Sequence, residues 1–278
     1  MRHAFHQAGE VKLHVAEAGE GEPLLMLHGW PQHWYAWRHL IPPLAQRYRV
    51  ICPDLRGFGW SEAPSRGYDK ETMMRDVVAL LDELGVERVR LVGHDWGGWI
   101  GFLMCLLAPE RVERFVSLNI TPPFARANVA ALATTWRLWY QFLISIPGIG
   151  AAAIRRIPER AKAMQTWMGV RSWDAETRDV FFAQFAEPAR VNASVQLYRT
   201  FQLQELPRVL AGRYRTTRLR TPTLMLHGVH DAVVTPAQFA GCERDADDMT
   251  IELVPRCGHY PADDRPELVL DRALTFFA

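Results

Sequence analysis

Residues 91–99, LVGHDWGGW, begin as an apolar run and end in glycines. Within them Gly93, His94, Asp95, Trp96 and Gly97 follow a frame: glycine, any residue, a polar residue able to act as nucleophile, any residue, glycine. Between a buried strand and a buried helix, this spacing builds a sharp elbow that pushes the central side chain out at the top of a sheet. The flanking glycines let neighbouring backbone pack against the turn. Both flanks are present: VRLVGHD (89–95) reads as a strand buried on both faces, and WGGWIGFLMCLLAPERV (96–112) as a buried helix. Taken alone, Asp95 could also be read as a cap on that helix, the less favoured alternative.

Working outward, short apolar runs ending in Gly, Pro, Asp or His recur at LLMLHG (24–29), RVICPD (49–54), FVSLNI (115–120), TLMLHG (223–228) and TIELVP (250–255). Such runs suit the strands of a parallel sheet covered on both faces. KETMMRDVVALLDELG (70–85) is amphipathic with a glycine stop. The alternation predicts an α/β fold, a mostly parallel central sheet flanked by helices. It breaks near residue 122, where a helical stretch rich in Trp, Phe and Arg begins, and resumes near 216. The expected organisation is therefore a first part of the core at 1–122, a helical cap at 123–215, and the second part of the core at 216–278.

Composition limits the function classes. A chain of 278 residues, 49% hydrophobic, can fill one substantial core carrying an insertion. The formal net charge of +1 supplies no global field for nucleic acid or an anionic membrane, so neither is expected as a partner. The amino-terminal MRHAFHQAGEVKLHVAEAGEG alternates like an exposed strand and has no signal-peptide pattern, which predicts a cytoplasmic protein. Cys52, Cys105, Cys242 and Cys257 lack metal-type spacing, and no disulfide is expected. LWYQFLISIPGIGAAAI (138–154) is interrupted by Gln141, Pro147 and two glycines, and is shorter than the ~20 residues that span a bilayer.

Open α/β sheets bind ligands at the carboxyl ends of their strands. Asp231 in GVHDAVV (228–234) and His259 in RCGHYP (256–261) both follow strands, giving the chain order nucleophile, acid, histidine. That is the order of α/β hydrolases, with Asp95 in place of serine. The blocks HGWPQHWYAWRHLIPPLA (28–45), DLRGFGWSEAP (54–64), GHDWGG (93–98), PERVERFVSLNITPP (109–123) and CGHYP (257–261) resemble those of soluble epoxide hydrolases in that superfamily. The likeness spans essentially the whole chain and is least distinctive in the insertion. HGWP and GHDWGG mark the aspartate-using branch shared with haloalkane dehalogenases.

The resemblance implies an α/β-hydrolase fold with a helical lid and a chemistry. A carboxylate attacks a saturated carbon and leaves an alkyl ester on Asp95, which water then cleaves with His259 as base and Asp231 as its orienting partner. The oxyanion donors in similar enzymes correspond to the backbone N–H groups of Trp30 and Trp96. The lid segments WYQFLISIPG and SVQLYRTF resemble the family's two tyrosine segments, which makes Tyr140 and Tyr198 candidates for clasping the epoxide oxygen. Trp30, Trp96, Tyr140 and Tyr198 would contact a small hydrophobic epoxide, with no cofactor and no metal, in a monomer or homodimer. Trp136, Trp139, Phe142 and Trp167 are candidate lining residues, and His28 is expected to hold its loop. His3, His6, His14 and His33 are read as surface or packing residues, and Arg208 to Arg220 as a solvated face.

Two rivals stay open. A haloalkane dehalogenase would share Asp95, His259 and Trp96, but its usual loop has Asn where this chain has Trp30. A binding protein that kept the fold for its pocket would not require an intact nucleophile, acid and base.

Overall fold

The computed structural model of the protein describes every residue except Gly169 and Arg171, together with the side chain of Trp167. Eight strands form one sheet: β1 (Arg2–Ala8), β2 (Val11–Ala18), β3 (Glu22–Leu27), β4 (Tyr48–Pro53), β5 (Val89–His94), β6 (Val112–Leu118), β7 (Thr223–Gly228) and β8 (Met249–Val254). Their spatial order is β1-β2-β4-β3-β5-β6-β7-β8. β2 runs antiparallel to β1 and β4, and the pairs from β4 to β8 are parallel. The strands with continuous apolar runs sit in the middle, where helices cover both faces; every residue of β7 is buried. β1 and β8 form the edges and alternate in exposure.

The amino terminus differs from the single exposed strand expected there. It is a hairpin turned at Gly9, whose φ of 61° suits glycine. Its second strand, β2, is largely buried because it pairs with β4 as well as β1. The helix Lys70–Glu83 starts where Asp69 accepts the Thr72 N–H at 2.8 Å. It stops before Gly85, at φ 65°. The helix Trp96–Leu107 is buried apart from Leu107. Three of its residues are glycines, which lets it lie close on the sheet; a Cβ on Gly101 would collide with the Phe115 ring.

Among the described residues no strand of the sheet falls between β6 and β7. Helices over 129–210 lie above the carboxyl edge of the parallel strands and are tied to it by hydrogen bonds. Gln184 donates to the Pro31 carbonyl at 2.7 Å, and the Trp30 indole N–H donates to Ser194 Oγ at 3.0 Å. All four cysteines are free and buried. No described helix is long and apolar enough to cross a membrane.

Candidate active site

β5 ends at His94, and the chain turns at once into the helix that starts at Trp96. Asp95 makes that turn with φ 50° and ψ −122°, a conformation that costs a non-glycine residue energy. Its side chain makes no capping hydrogen bond to the helix. The carboxylate is instead aimed at the space above the sheet, where Oδ1 accepts the Trp30 N–H at 3.0 Å. The glycines around it have no room for a side chain: a Cβ on Gly29 would collide with Asp95, and one on Gly97 with the Leu27 carbonyl. The Trp96 N–H, the other expected donor, is the first of its helix and so has no intrahelical acceptor.

Asp231 and His259 come from the loops after β7 and β8. His259 Nε2 lies 3.6 Å from Asp95 Oδ2, and Nδ1 lies 2.8 Å from Asp231 Oδ2. Asp231 in turn accepts the Val233 and Val234 N–H groups on Oδ1 and the Asn119 amide on Oδ2, at 2.7, 3.1 and 2.7 Å. Burial alone would raise the Asp231 carboxyl, but the His259 imidazole and these donors hold it below its usual range. Burial likewise pulls His259 down, yet the two carboxylates prevail and push its pKa up to about 10. Its backbone carbonyl accepts from His94 Nε2 at 2.7 Å; His94, stripped of solvent and facing His259, has its own pKa lowered to about 4.

The lid brings Tyr140 and Tyr198 to the same place. Their rings stand edge to face, 6.0 Å apart. Tyr198 sits against both expected oxyanion residues, its ring 5.4 Å from that of Trp30 and 5.7 Å from that of Trp96. Burial, with the nearby charge of Asp95, raises the pKa of both phenols above the ordinary tyrosine value, so each keeps its proton available for donation at neutral pH. Within the lid helices lies a cavity of about 550 Å³, mostly apolar, whose lining includes Trp139, Tyr140, Ile144, Ile154 and Met164 and meets the core at Trp30. Of the other expected lining residues, Trp136 and Phe142 are 67% and 54% exposed and face solvent. They fail because the lid helices carrying them are only one or two turns long and turn one face outward. The side chain of Trp167 lies outside the described residues.

One residue that shapes the site, Asn119, had not been singled out. Asn119, at φ 45° just past β6, donates to Asp231 and to the Gly258 carbonyl and accepts the Gly228 N–H, so one side chain ties together the strand ends that carry acid and histidine. The sequence did hold a signal for it, a polar residue closing FVSLNI. His28 holds its loop as expected, with Nδ1 donating to the Gly29 carbonyl and Nε2 accepting the Leu55 N–H, both at 2.9 Å. His14 is fully buried, 2.8 Å from Asp54 and 3.0 Å from His3, away from this site. Chemically, the arrangement can present a carboxylate to an electrophile, hold a proton on an adjacent imidazole, and offer phenol protons from the opposite wall, all from buried or, at Tyr140, partly buried side chains.

A family model for the alpha/beta hydrolase fold matches residues 22–147. The soluble epoxide hydrolase of Corynebacterium sp. (strain C12) is 33% identical over 300 aligned positions, covering 98% of this chain and 96% of that protein. Epoxide hydrolase 4 of Homo sapiens is 27% identical, over 96% of this chain and 75% of its own length. Among solved structures, a ligand-free epoxide hydrolase, CorEH, has a TM-score of 0.84 to this one at 29% identity, covering 99% of this chain and 98% of that one. With a relative matched across both full lengths and the fold matched alongside it, the chain belongs to the epoxide hydrolases of the α/β-hydrolase superfamily.

Proposed function

We propose that this protein converts a small hydrophobic epoxide and water to a vicinal diol through a covalent ester on Asp95, under a lid formed by residues 123–215. The observation that carries the reading is the free Asp95 carboxylate, anchored by the Trp30 N–H on one oxygen and facing His259 on the other. Asp95 attacks a ring carbon from behind; the C–O bond breaks, its electron pair goes to oxygen, and that oxygen takes a proton from Tyr140 or Tyr198. The products of this step are a hydroxyalkyl ester and a phenolate.

Proton balance then fits the electrostatics. At rest His259 holds its proton, with two carboxylates beside it. Esterification removes the charge of Asp95, so the imidazolium becomes more acidic and can return a proton to the phenolate through the site's water. Neutral His259 then takes a proton from the attacking water, hydroxide adds to the Asp95 carboxyl carbon, and the diol departs. The nucleophile is again ionised, the imidazole protonated and the phenol restored. The oxyanion formed on Asp95 lies beside the Trp30 and Trp96 N–H groups, and a donor of this kind is typically worth ~10²-fold or more.

The Trp96 indole N–H, buried beside the candidate nucleophile and next to Tyr198, would suit a halide, so dehalogenation is the second reading. Both are tested with the His259→Gln variant and styrene oxide beside a chloroalkane. The expected result is an enzyme mass increased by one epoxide on the peptide bearing Asp95, and no chloride release by the wild type. No adduct, or an adduct on another peptide, would reject the ester; chloride release without diol formation would favour dehalogenation.

A further inference from the structure

Lys70, the first residue of the helix Lys70–Glu83, is fully buried, an unusual place for a lysine. Its ammonium has three hydrogens and uses them all, on the Leu197 carbonyl at 2.9 Å, Glu205 Oε2 at 2.9 Å and the Tyr68 carbonyl at 3.2 Å. Glu205 also accepts the Lys70 backbone N–H on its other oxygen at 2.8 Å. The ammonium stands 4.6 Å from the centre of the Trp96 ring and 5.2 Å from that of Phe201. Trp96 directly follows the candidate nucleophile, and Leu197 directly precedes the candidate acid Tyr198.

Where the ammonium enters, the lid helix Pro188–Thr200 widens into a π-turn, Phe201–Glu205. Such turns arise where a helix's own ladder is interrupted, and they collect at functional sites. A lysine whose hydrogens are all committed has none to donate to a substrate. What it can contribute is fixed charge and fixed position. The charge lies against the ring of Trp96, whose indole faces Tyr198, and the position is shared between a core helix and the end of the lid helix that carries Tyr198.

We infer that Lys70 is a positioning residue for epoxide opening: locked between core and lid, it holds the Trp96 indole and the helix end that carries Tyr198 in register with Asp95. This rests on the ester mechanism proposed above. In that mechanism the phenols of Tyr140 and Tyr198 donate while the ester forms and only regain a proton before it is cleaved, so losing Lys70 slows the first step more than the second.

The test is Lys70→Met combined with Glu205→Gln, which keeps the length of the stem and leaves no uncompensated carboxylate. Single turnovers of the full chain with styrene oxide, quenched and read by mass, give the rates of ester formation and decay. We expect formation to slow by about ten-fold or more, since small misplacements of catalytic groups are costly, with decay within about two-fold of wild type. Glu205→Gln alone, the milder change, is expected to slow formation by about three-fold and carries the test if the double variant does not fold. Unchanged formation, or equal slowing of both steps, overturns the inference while leaving the ester mechanism standing. A wild type that forms no ester overturns the mechanism and the inference with it.

Discussion

Replacing Asp95 with asparagine should loosen the hold of His259 on its proton. In the resting protein the imidazole is pushed up to about 10, and one of the charges responsible lies 3.6 Å from Nε2. Two unit charges about 4 Å apart interact by about 4 kcal/mol at an effective dielectric of 20. At 1.36 kcal/mol per pKa unit, that corresponds to a fall of about three units, an upper bound because the Trp30 N–H already draws on the same carboxylate. Asp231 stays in place and keeps the imidazole above what burial alone would leave it. A fall of about two to three units is therefore expected.

The assay is NMR titration of histidine labelled at the ring carbons. The chain has ten histidines, and the signal missing from His259→Gln assigns the one that matters. Intact mass checks that the amide survives, since a site built to activate water could hydrolyse it. An imidazole in Asp95→Asn that still titrates where the wild type does would refute the claim that neutralising Asp95 turns His259 into a base. The same reasoning requires ester decay to accelerate with pH, with its midpoint well below 10.

Further outcomes follow from the lid, the acid loop and the buried histidines. Tyr140→Phe with Tyr198→Phe should cost diol formation more than either change alone, at least ~10²-fold in kcat/KM; an undiminished double variant would mean that the two rings only pack. Asn119→Ala takes one hydrogen bond from each of Asp231, Gly258 and Gly228 and puts alanine at φ 45°, which asparagine tolerates better, so urea unfolding should show a loss of at least about 2 kcal/mol. A loss under about 0.5 kcal/mol would show that water replaces the amide. His28 and His94 are pushed from 6.5 down to about 4 by burial. Between those values the unfolded chain binds protons that the folded one does not. Stability should therefore be full above pH 6.5 and fall towards pH 4, by up to about 1.4 kcal/mol per pH unit for each histidine. His94→Gln should remove one such share from the slope, and an unchanged slope would mean that His94 already takes up its proton in the folded state.

Much of the core was legible because the residues at strand ends obey one rule. An apolar run followed by Asp95, Asp231 or His259 marks a polar group held at the edge of the sheet, and the structure brings all three within hydrogen-bonding reach of a common space. Asn119 satisfies the same rule and escaped notice because an amide is not a nucleophile, acid or base. Lys70 could not have been read. At the head of an amphipathic helix a lysine looks solvated, and its burial comes from Leu197 and Glu205, more than a hundred residues away in sequence. Tyr140 and Tyr198 were legible only through resemblance, since spacing within short lid helices does not say which aromatic faces inward. Trp139 meets the cavity while Trp136 and Phe142 meet water, an outcome set by how the lid helices lie on the core.

The crowding of Gly29, Gly93 and Gly97 around the elbow bears on how mutational surveys of this enzyme would be interpreted. Even a methyl group at any of the three strikes backbone or the Asp95 side chain. A saturation library scored by turnover would rank these positions beside the reacting residues, although they carry no functional group. Scoring folded yield in parallel separates the two kinds of intolerance: substitution at Asp95 spares abundance, whereas substitution at the glycines depletes it. Directed evolution for new epoxides is better aimed at the apolar lid wall, where side chains can change size without deforming the turn.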